Sequence, residues 1–218
     1  MRCLYCYNEL WEDEIDFHPA CSHNMWCSAK PPLLNYTEGD MEPLAVQVVR
    51  SHIAVTGVQP KLSLSIQKME TGIQPQCFTI AGSWGAYILK LPVSHYPSLP
   101  EVDDLTMHLA SIAKIATVPH SLIRLQSGNL AYITRRIDRV KGAKLHMEDM
   151  CQLTGKLTED KYRGSYEQIG KAILKYSANP GLDLVNFFEQ VVFSFLTGNA
   201  DMHLNMYKSI RFLENINH

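Results

Sequence analysis

Two pairs of metal-ligand residues lie in the first 21 positions, and their spacing constrains the fold of this chain more than any other feature. Two residues separate Cys3 from Cys6, two separate His18 from Cys21, and eleven lie between the pairs. A pair with two intervening residues can direct both side chains at one ion, so two pairs complete a tetrahedral shell suited to Zn²⁺. The spacing predicts a structural zinc site, because protein ligands fill every position and leave none for a reactive water.

The ligand set and its role have alternatives. His23 or Cys27 could replace a member of the shell, and the four residues could also be ordinary residues without a metal. A zinc knuckle over residues 1–30 would depend on its metal, because a segment of roughly this size buries too little surface to fold alone. The intervening run YNELWEDEIDF holds five acidic residues and no basic one. That charge disfavours contact with nucleic-acid phosphates, whereas protein contact through Tyr5, Trp11 or Phe17 stays open.

The composition limits the class of protein. The chain has 218 residues, of which 46% are hydrophobic, 20 are Lys or Arg and 22 are Asp or Glu, for a formal net charge of −2. This balance gives no whole-chain attraction to nucleic acid or to an anionic membrane. The sequence has neither a secretory signal nor an apolar run of the roughly 18 residues that span a bilayer, so we expect a cytoplasmic protein. Six cysteines in a reducing compartment indicate metal ligands or buried residues.

Short strands are predicted after a connector. SAKPPLLNYTEGD (28–40) has the Pro, Gly and polar residues of a connector, and a short helix is expected within 41–52. The alternation of Leu62, Leu64 and Ile66 predicts a half-buried strand, and CFTIAG and AYILKL predict two more. SLIRL and LAYIT around QSGN predict a hairpin.

Helices are predicted between and after these strands. Apolar residues at helical spacing predict a helix over 101–115, with acidic residues in its first turn as the helix dipole favours. Further helices are expected near 147–155, 165–176 and 183–197. The last of these helices carries apolar residues around much of its circumference, so we expect it to be buried. If it were left uncovered, it would be a surface for association with other proteins.

The order of these elements is that of a protein-kinase small lobe, with a Gly-bearing loop, a strand ending in Lys, a helix and a hairpin. In such a lobe the strand lysine holds ATP phosphates and pairs with a carboxylate on the following helix, for which Lys90 and Asp103 are the candidates. Taken alone, a lysine at the end of a strand such as Lys90 is usually only a solvated charge, and TGVQPK is more simply explained as a turn. The predicted class is α+β, with a small lobe of antiparallel sheet plus helix over 31–134 and part of a helical large lobe over 135–218.

Five motifs occur together in one order. They are TGVQPK (56–61), YILK (87–90), RRIDR (135–139), MEDMCQ (147–152) and TGNADMH (197–203). At these spacings they resemble the HipA family of bacterial Ser/Thr kinases, which are toxins of toxin–antitoxin modules and have a kinase-like fold. The resemblance covers roughly residues 50–204, and the joint occurrence of the motifs is far more specific than any one of them.

The resemblance implies an ATP-binding set. Residues 56–61 would form the phosphate loop, in which Thr56 is the candidate for self-phosphorylation. Lys90 would bind ATP phosphates, and residues 135–137 would lie along the hinge at the adenine, where the family often has an acidic residue in place of Arg135. The implied ATP-binding residues are Thr56, Gly57, Val58, Gln59, Pro60, Lys61, Lys90, Arg135, Arg136 and Ile137.

The resemblance also implies a catalytic loop. Asp201 would be the base that accepts the substrate hydroxyl proton, and His203 would follow it in the same loop. The family places a metal-binding Asn five residues after that Asp, but this chain has Met206 there and Asn205 one residue early. Glu214 is the sole acidic residue after Asp201, so the second Mg²⁺ ligand of a kinase is missing. We therefore expect a chain truncated within the catalytic loop and inactive in this form.

Two functions of different classes follow. The first is a HipA-like Ser/Thr kinase toxin that transfers the γ-phosphoryl group of ATP, with Mg²⁺, to a protein hydroxyl such as that of an aminoacyl-tRNA synthetase. The alternative is a non-catalytic nucleotide-binding or partner-binding remnant that regulates a toxin–antitoxin system. The family implies a helix-turn-helix antitoxin partner, with operator DNA reached only through that antitoxin. The short N-terminus suggests a separate small protein that supplies an N-terminal subdomain.

Overall fold

The chain folds as two compact units. A computed structural model describes residues 1–41, 43, 61–67, 76–81, 84–96, 98–140, 143–157, 160, 162–199 and 208–211. One unit is formed by residues 1–109 and 117–136, and the other by residues 110–116 and 137–218. The predicted α+β class is confirmed by an antiparallel sheet accompanied by helices. The predicted boundary after residue 30 stays a prediction, and the structure places the segments on both sides of it in the first unit.

A five-stranded antiparallel sheet forms the centre of the first unit. Its spatial order is β2-β1-β3-β5-β4, so β2 and β4 are the edge strands. The strands are β1 (Lys61–Gln67), β2 (Cys77–Ile80), β3 (Tyr87–Lys90), β4 (His120–Arg124) and β5 (Leu130–Arg135). All three predicted strand segments and the predicted hairpin therefore form, because alternating apolar residues bury one face of each strand.

The two faces of the sheet carry different side chains. Leu62, Leu89 and Ile133 occupy facing positions on β1, β3 and β5 and are at most 1% exposed. Because successive side chains alternate along a strand, the next residue of β3 and its facing residues project from the opposite face. That row consists of Lys61, Lys90 and Tyr132.

The N-terminal segment packs on the apolar face of the sheet. Helix α1 (Pro19–Trp26) ends at Cys27, which has a left-handed φ of 57°, and it places Trp26 against the rings of Phe78 and Tyr87 at 5.5 and 5.6 Å. The carbonyl of Leu4 accepts hydrogen bonds from the Ser121 hydroxyl and the Leu122 amide of edge strand β4. The segment is therefore part of the hydrophobic core of this unit.

Helix α2 (Leu99–Ile112) corresponds to the helix predicted over 101–115. It ends before Lys114, whose φ of 65° is left-handed, and the Ile115 amide closes the last turn on the Ala110 carbonyl. The residues whose spacing predicts this helix are 42–74% exposed, namely Val102, Leu105, Leu109 and Ile112. Asp104 is instead fully buried, so the face of α2 that meets the sheet is a polar one.

Four short strands and three helices are described in the second unit. They are β6 (Arg139–Val140), β7 (Ala143–Lys144), β8 (His146–Asp149), α3 (Met150–Leu153), α4 (Tyr166–Tyr176), α5 (Pro180–Leu196) and β9 (Lys208–Arg211). The predicted helices 165–176 and 183–197 are present as α4 and α5. In this unit Ile169 and Ile173 of α4 and Phe187 of α5 form an apolar cluster with α3. The apolar circumference of α5 is covered only in part, because Phe188, Phe195 and Leu196 are exposed.

The helix predicted over 147–155 is wrong at both ends. Residues 146–149 form strand β8, which pairs with β9, and the helix begins only at Met150. Asp149 and Gln152 form a capping box that fixes this start. Gly155 follows with a φ of 68°, a conformation that ends a helix.

The helix expected within 41–52 falls almost wholly outside the described residues. Among the residues that the structure does describe, no helix combines the length and the apolar character needed to cross a bilayer.

Candidate functional site

An ion pair connects the end of strand β3 with the first turns of helix α2. The Lys90 ammonium donates a hydrogen bond of 2.9 Å to Asp103 Oδ2, and both side chains keep about a quarter of their surface exposed. The same ammonium lies 5.2 Å from the centre of the Tyr132 ring, which is within the range of a cation–π contact. The carboxylate and the ring thus hold the lysine head at a fixed place while it stays accessible to solvent.

A second lysine lies beside this pair. Lys61 of β1 faces Lys90 of β3 directly across the ladder, so their side chains share one face of the sheet. Two lysines therefore project from the same face at this end of the sheet, and the ammonium of one of them, Lys90, is paired with Asp103.

A buried hydrogen-bond network surrounds the neighbouring carboxylate, Asp104. Its Oδ2 accepts a hydrogen bond of 2.5 Å from the Tyr7 hydroxyl, and its Oδ1 accepts one of 2.7 Å from His120 Nδ1. His108 Nε2 lies 3.4 Å from Oδ2, but it makes no hydrogen bond of good geometry to any residue that the structure describes. The Tyr7 and His108 rings are 4.6 Å apart. We call Tyr7, Asp104, His108 and His120 the Asp104 network.

The environment of the Asp104 network shifts the pKa values of its members. Burial lowers the pKa of His108; the Asp104 carboxylate opposes that shift and the charge on His120 reinforces it. Burial also raises the pKa of Tyr7, and its hydrogen bond to Asp104 acts in the same direction. Burial raises the pKa of Tyr132 as well, with the charges of Asp104 and Asp103 adding to the shift. Both tyrosines are therefore neutral at physiological pH, and the Tyr7 hydroxyl keeps the hydrogen that it donates to Asp104.

The predicted zinc ligands lie together at the N-terminus. One ligand atom from each of Cys3, Cys6, His18 and Cys21 lies within 4.8 Å of all the others, and we call these four residues the thiol cluster. His18 Nδ1 is 3.4 Å from the Cys6 sulfur and 3.7 Å from the Cys21 sulfur. Around a tetrahedral Zn²⁺ ion, bonds of about 2.3 Å to sulfur and 2.0–2.1 Å to nitrogen place a nitrogen and a sulfur ligand atom about 3.6 Å apart. The separations in the thiol cluster therefore fit a tetrahedral ion.

The tautomer of His18 also fits a metal ligand. Its Nε2 is 2.9 Å from the backbone carbonyl of Glu9, and a carbonyl oxygen can only accept. Nε2 therefore carries the hydrogen, and the lone pair of Nδ1 points at the sulfur atoms. The same hydrogen bond raises the pKa of His18, with burial opposing the shift.

The thiols of the cluster differ in pKa. Burial opposes the ionisation of Cys3, but hydrogen bonds at the backbone of His18, Tyr5 and Cys6 outweigh it and lower the pKa of this thiol to about 7. Burial, reinforced by a hydrogen bond to Cys6 and by the charge of Cys3, raises the pKa of Cys21 to about 12. One thiolate thus suppresses ionisation of the next, and a bound cation would remove that penalty.

The other predicted site residues lie near the end of β5 or outside the described residues. The Arg136 amide donates to the Ala86 carbonyl beside β3, and Arg135 ends β5. The division between the units falls between Arg136 and Ile137, within the predicted hinge. The phosphate-loop residues Thr56, Gly57, Val58, Gln59 and Pro60, and the catalytic-loop residues Asp201 and His203, lie outside the described residues. Neither His23 nor Cys27 is part of the thiol cluster.

Sequence reasoning missed the Asp104 network. Tyr7 and Asp104 are 97 positions apart, and His120 lies 16 positions after Asp104. No spacing rule joins such residues. The available signal was the presence of two adjacent acidic residues, Asp103 and Asp104, in the first turns of α2. Adjacent side chains of a helix point in different directions, so only one of the two can reach Lys90.

Comparisons with known proteins identify the family to which this sequence is similar. The sequence model of the HipA-like C-terminal domain matches residues 53–207. The protein "Putative kinase Y4dM" of Sinorhizobium fredii is 29% identical over 143 residues, which cover 59% of this chain and 34% of that protein. A "Putative kinase" of Haemophilus influenzae is 30% identical over 173 residues, or 72% of this chain and 48% of its own.

A solved structure has a similar fold. It is the HipA chain of the "Shewanella oneidensis MR-1 Toxin Antitoxin System HipA, HipB and its operator DNA complex", with a TM-score of 0.53 and 20% sequence identity. The match covers 78% of this chain and 46% of that one. The chain spans between a third and a half of the length of these relatives.

Proposed function

The chain belongs to the HipA-like C-terminal domain family, whose sequence model matches residues 53–207, and from this premise we propose that it acts as a Ser/Thr kinase of a toxin–antitoxin system. It would bind ATP with Mg²⁺ and transfer the γ-phosphoryl group to a protein hydroxyl. Such transfer depends on positioning and on electrostatic stabilisation of the phosphates rather than on covalent catalysis by the protein. The residues of this chain would therefore act mainly by holding charge in place.

The ion pair of Lys90 and Asp103 is the observation that carries the proposal. Their separation of 2.9 Å is the arrangement that a kinase lysine and its helix carboxylate require before the lysine can hold phosphates. Lys61 at the facing position adds a second cation on the same face. Tyr132 limits where the Lys90 head can move. Together these residues favour an anionic ligand at the end of β3.

The remaining roles are taken from the family motifs. Residues 56–61 would enclose the phosphates, with Thr56 as the site of self-phosphorylation, and residues 135–137 would border the adenine. Asp201 would accept the proton of the substrate hydroxyl, with His203 beside it. Mg²⁺ would neutralise charge on the phosphates during transfer.

We assign Zn²⁺ to the thiol cluster as a structural ion. The edge lengths of the cluster and the tautomer of His18 support this assignment. Four protein ligands complete the shell, so the ion would stabilise the N-terminal segment and take no part in phosphoryl transfer. The segment contributes Leu4, Phe17 and Trp26 to the core of the sheet unit, which makes its stability a condition for the stability of that unit.

The proposed partners follow from the family. The similar Shewanella protein is in a complex with HipB and operator DNA, and we infer an antitoxin with a helix-turn-helix for this chain as well. The proposed protein substrate is of the aminoacyl-tRNA synthetase type.

A second candidate is a non-catalytic nucleotide-binding or partner-binding regulator. The observation that favours it is Met206, which stands where the family has a metal-binding Asn. A thioether is a poor ligand for Mg²⁺, which takes oxygen ligands. This candidate shares the nucleotide site around Lys90 and differs only in the absence of phosphoryl transfer.

Incubation of the 218-residue chain with Mg²⁺ and labelled ATP separates the two candidates. Intact-mass and peptide analysis should find one phosphate on Thr56 if the chain is a kinase, and Lys90→Ala and Asp201→Asn should each abolish the label. Lys171→Ala, an exposed lysine paired with Glu167 on α4, is the control and should leave incorporation unchanged. Nucleotide binding without incorporation would support the regulator, and the absence of both would overturn the kinase and the nucleotide-binding form of the regulator.

A further inference from the structure

We propose that Tyr7 is a positioning residue for the nucleotide site, through which the metal-bound thiol cluster fixes helix α2 so that Asp103 meets Lys90. The inference rests on the proposed function, because it takes Lys90 as a ligand of the nucleotide phosphates. It goes further by giving the N-terminal metal centre an effect on nucleotide affinity. The residues that carry it all belong to the sheet unit.

The thiol cluster determines where Tyr7 lies. Tyr7 directly follows the ligand Cys6 and has a left-handed φ of 63°, a conformation that a residue with a side chain adopts only when its surroundings impose it. Its amide donates to the Cys3 carbonyl at 3.0 Å, and the Cys3 amide donates to Asn8 at 2.9 Å. These bonds close a tight turn around two of the predicted ligands, so loss of the metal would release the turn and Tyr7 with it.

The side chain of Tyr7 contacts helix α2 at two successive turns. Its hydroxyl donates the 2.5 Å hydrogen bond to Asp104, and its ring lies 4.6 Å from the ring of His108. Asp104 has no exposed surface, so no water can replace the tyrosine hydroxyl as a donor without a local opening. A buried carboxylate that loses one of two donors is strongly destabilised.

Asp104 transmits the position of Tyr7 to the ion pair because it adjoins Asp103 on the same rigid turn. His120 of β4 holds the other oxygen of Asp104, and Lys90 of β3 holds Asp103. Two of these anchors come from the sheet, and Tyr7 is the anchor that comes from the metal-binding segment. A displaced helix would lengthen the contact between Asp103 and Lys90, and a lysine without its carboxylate binds phosphates in a less defined geometry.

The test compares Tyr7→Phe with Tyr5→Phe in the full chain loaded with one equivalent of Zn²⁺. Each variant removes one hydroxyl on either side of Cys6, but only Tyr7 donates to Asp104. Tyr7→Phe should keep its zinc, lower the affinity for the ATP analogue AMPPNP with Mg²⁺ by roughly fivefold, a typical coupling between sites, and speed hydrogen exchange of the α2 amides. Tyr5→Phe should change neither quantity. Removal of zinc from the wild-type chain should reproduce both effects of Tyr7→Phe.

A double-mutant cycle with Asp103→Asn distinguishes positioning from a general loss of stability. If Tyr7 acts through Asp103, Tyr7→Phe adds no further loss of nucleotide affinity in the Asp103→Asn background. Additive losses would overturn the proposal, as would unchanged affinity and unchanged α2 exchange in zinc-loaded Tyr7→Phe. If the wild-type chain binds no nucleotide, the proposed function fails. The exchange of α2 then decides the positioning role alone, with unchanged exchange after zinc removal overturning it.

Discussion

The thiol cluster and the Asp104 network contain similar numbers of metal-ligand residues but are built in opposite ways. Both groups bring their ligand atoms within 4.8 Å of one another. In the thiol cluster burial and the neighbouring Cys6 and Cys3 raise the pKa of Cys21, and His18 presents the lone pair of Nδ1 to the sulfur atoms. In the Asp104 network a buried carboxylate already accepts hydrogen bonds from Tyr7 and His120.

The difference shows that proximity of ligand residues does not define a metal site. A cation site needs several acceptor atoms that point at one place and are not already occupied by hydrogen-bond donors. The thiol cluster meets this condition once its thiols ionise. A carboxylate surrounded by donors is satisfied without an ion. We therefore expect zinc in the thiol cluster and none in the Asp104 network, a contrast that can be tested from the largest effect to the smallest.

Cys3→Ser with Cys6→Ser should have the largest effect. Structural zinc sites contribute about 10–16 kcal/mol of apparent binding free energy in zinc-finger peptides, so the double variant should lose zinc and the order of its N-terminal segment. Metal analysis by mass spectrometry and thermal unfolding measure the two losses. Cys27→Ser, an exposed cysteine outside the cluster, is the control. If the double variant kept one equivalent of zinc, the thiol cluster would not be the zinc site and its contrast with the Asp104 network would be lost.

Asp104→Asn should destabilise the protein without changing its metal content. The substitution removes a charged acceptor of two buried hydrogen bonds, for a loss of about 3 kcal/mol in the free energy of unfolding. Asp103→Asn, on the partly exposed neighbour, should cost less than about 1 kcal/mol. Chemical denaturation compares the two variants. A fall in bound metal in Asp104→Asn would show that the Asp104 network also holds an ion.

The charge state of His108 should make stability depend on pH. Its pKa in the folded protein lies below its ordinary value of 6.5, so the unfolded chain binds more protons on the acid side of 6.5. The free energy of unfolding should therefore rise as the pH rises toward 6.5 and level off above it. His108→Gln should flatten this rise. It should lower the free energy of unfolding by less than Asp104→Asn does, because the Asp104 carboxylate keeps both of its hydrogen-bond donors. Denaturation measured at several pH values below and around 6.5 gives the free energy of unfolding for each protein. An equal rise with pH in the wild-type protein and His108→Gln would contradict a role for His108.

Asp16→Asn should have the smallest effect. Arg124 of β4 forms a two-pronged ion pair with Asp16 in the loop between the ligand pairs, but the arginine side chain is 43% exposed. Exposed pairs contribute about 0.5 kcal/mol, so thermal unfolding should change little and zinc should stay bound. A loss of zinc in this variant would show that the loop, rather than the ligands, determines the metal site.

Spacing and periodicity predicted the parts of the molecule that are local in sequence. The thiol cluster follows from two short ligand pairs, and the strands around Lys90 follow from alternating apolar residues. The meeting of Lys90 with the predicted partner Asp103 follows from element order, since a strand and the helix after it are neighbours in a kinase small lobe. The roles of these residues stay predictions.

Long-range pairing explains what the sequence did not predict. The sequence predicts a helix over 147–155, yet residues 147–149 belong to β8, which pairs with β9 about 60 positions later. The apolar residues whose spacing predicts α2 are exposed, and the helix instead turns Asp104 inward because Tyr7 and His120 satisfy it there. In both cases a distant partner outweighed a local pattern.

The central claim is that Lys90, held by Asp103, binds the phosphates of a nucleotide. The most direct measurement is a calorimetric titration of the wild-type chain, Lys90→Ala and Lys171→Ala with AMPPNP and Mg²⁺. The account predicts that the wild-type chain and Lys171→Ala bind with equal affinity and that Lys90→Ala binds at least tenfold more weakly, a difference of about 1.4 kcal/mol. Equal affinity in all three proteins, or the absence of binding to the wild-type chain, would contradict it.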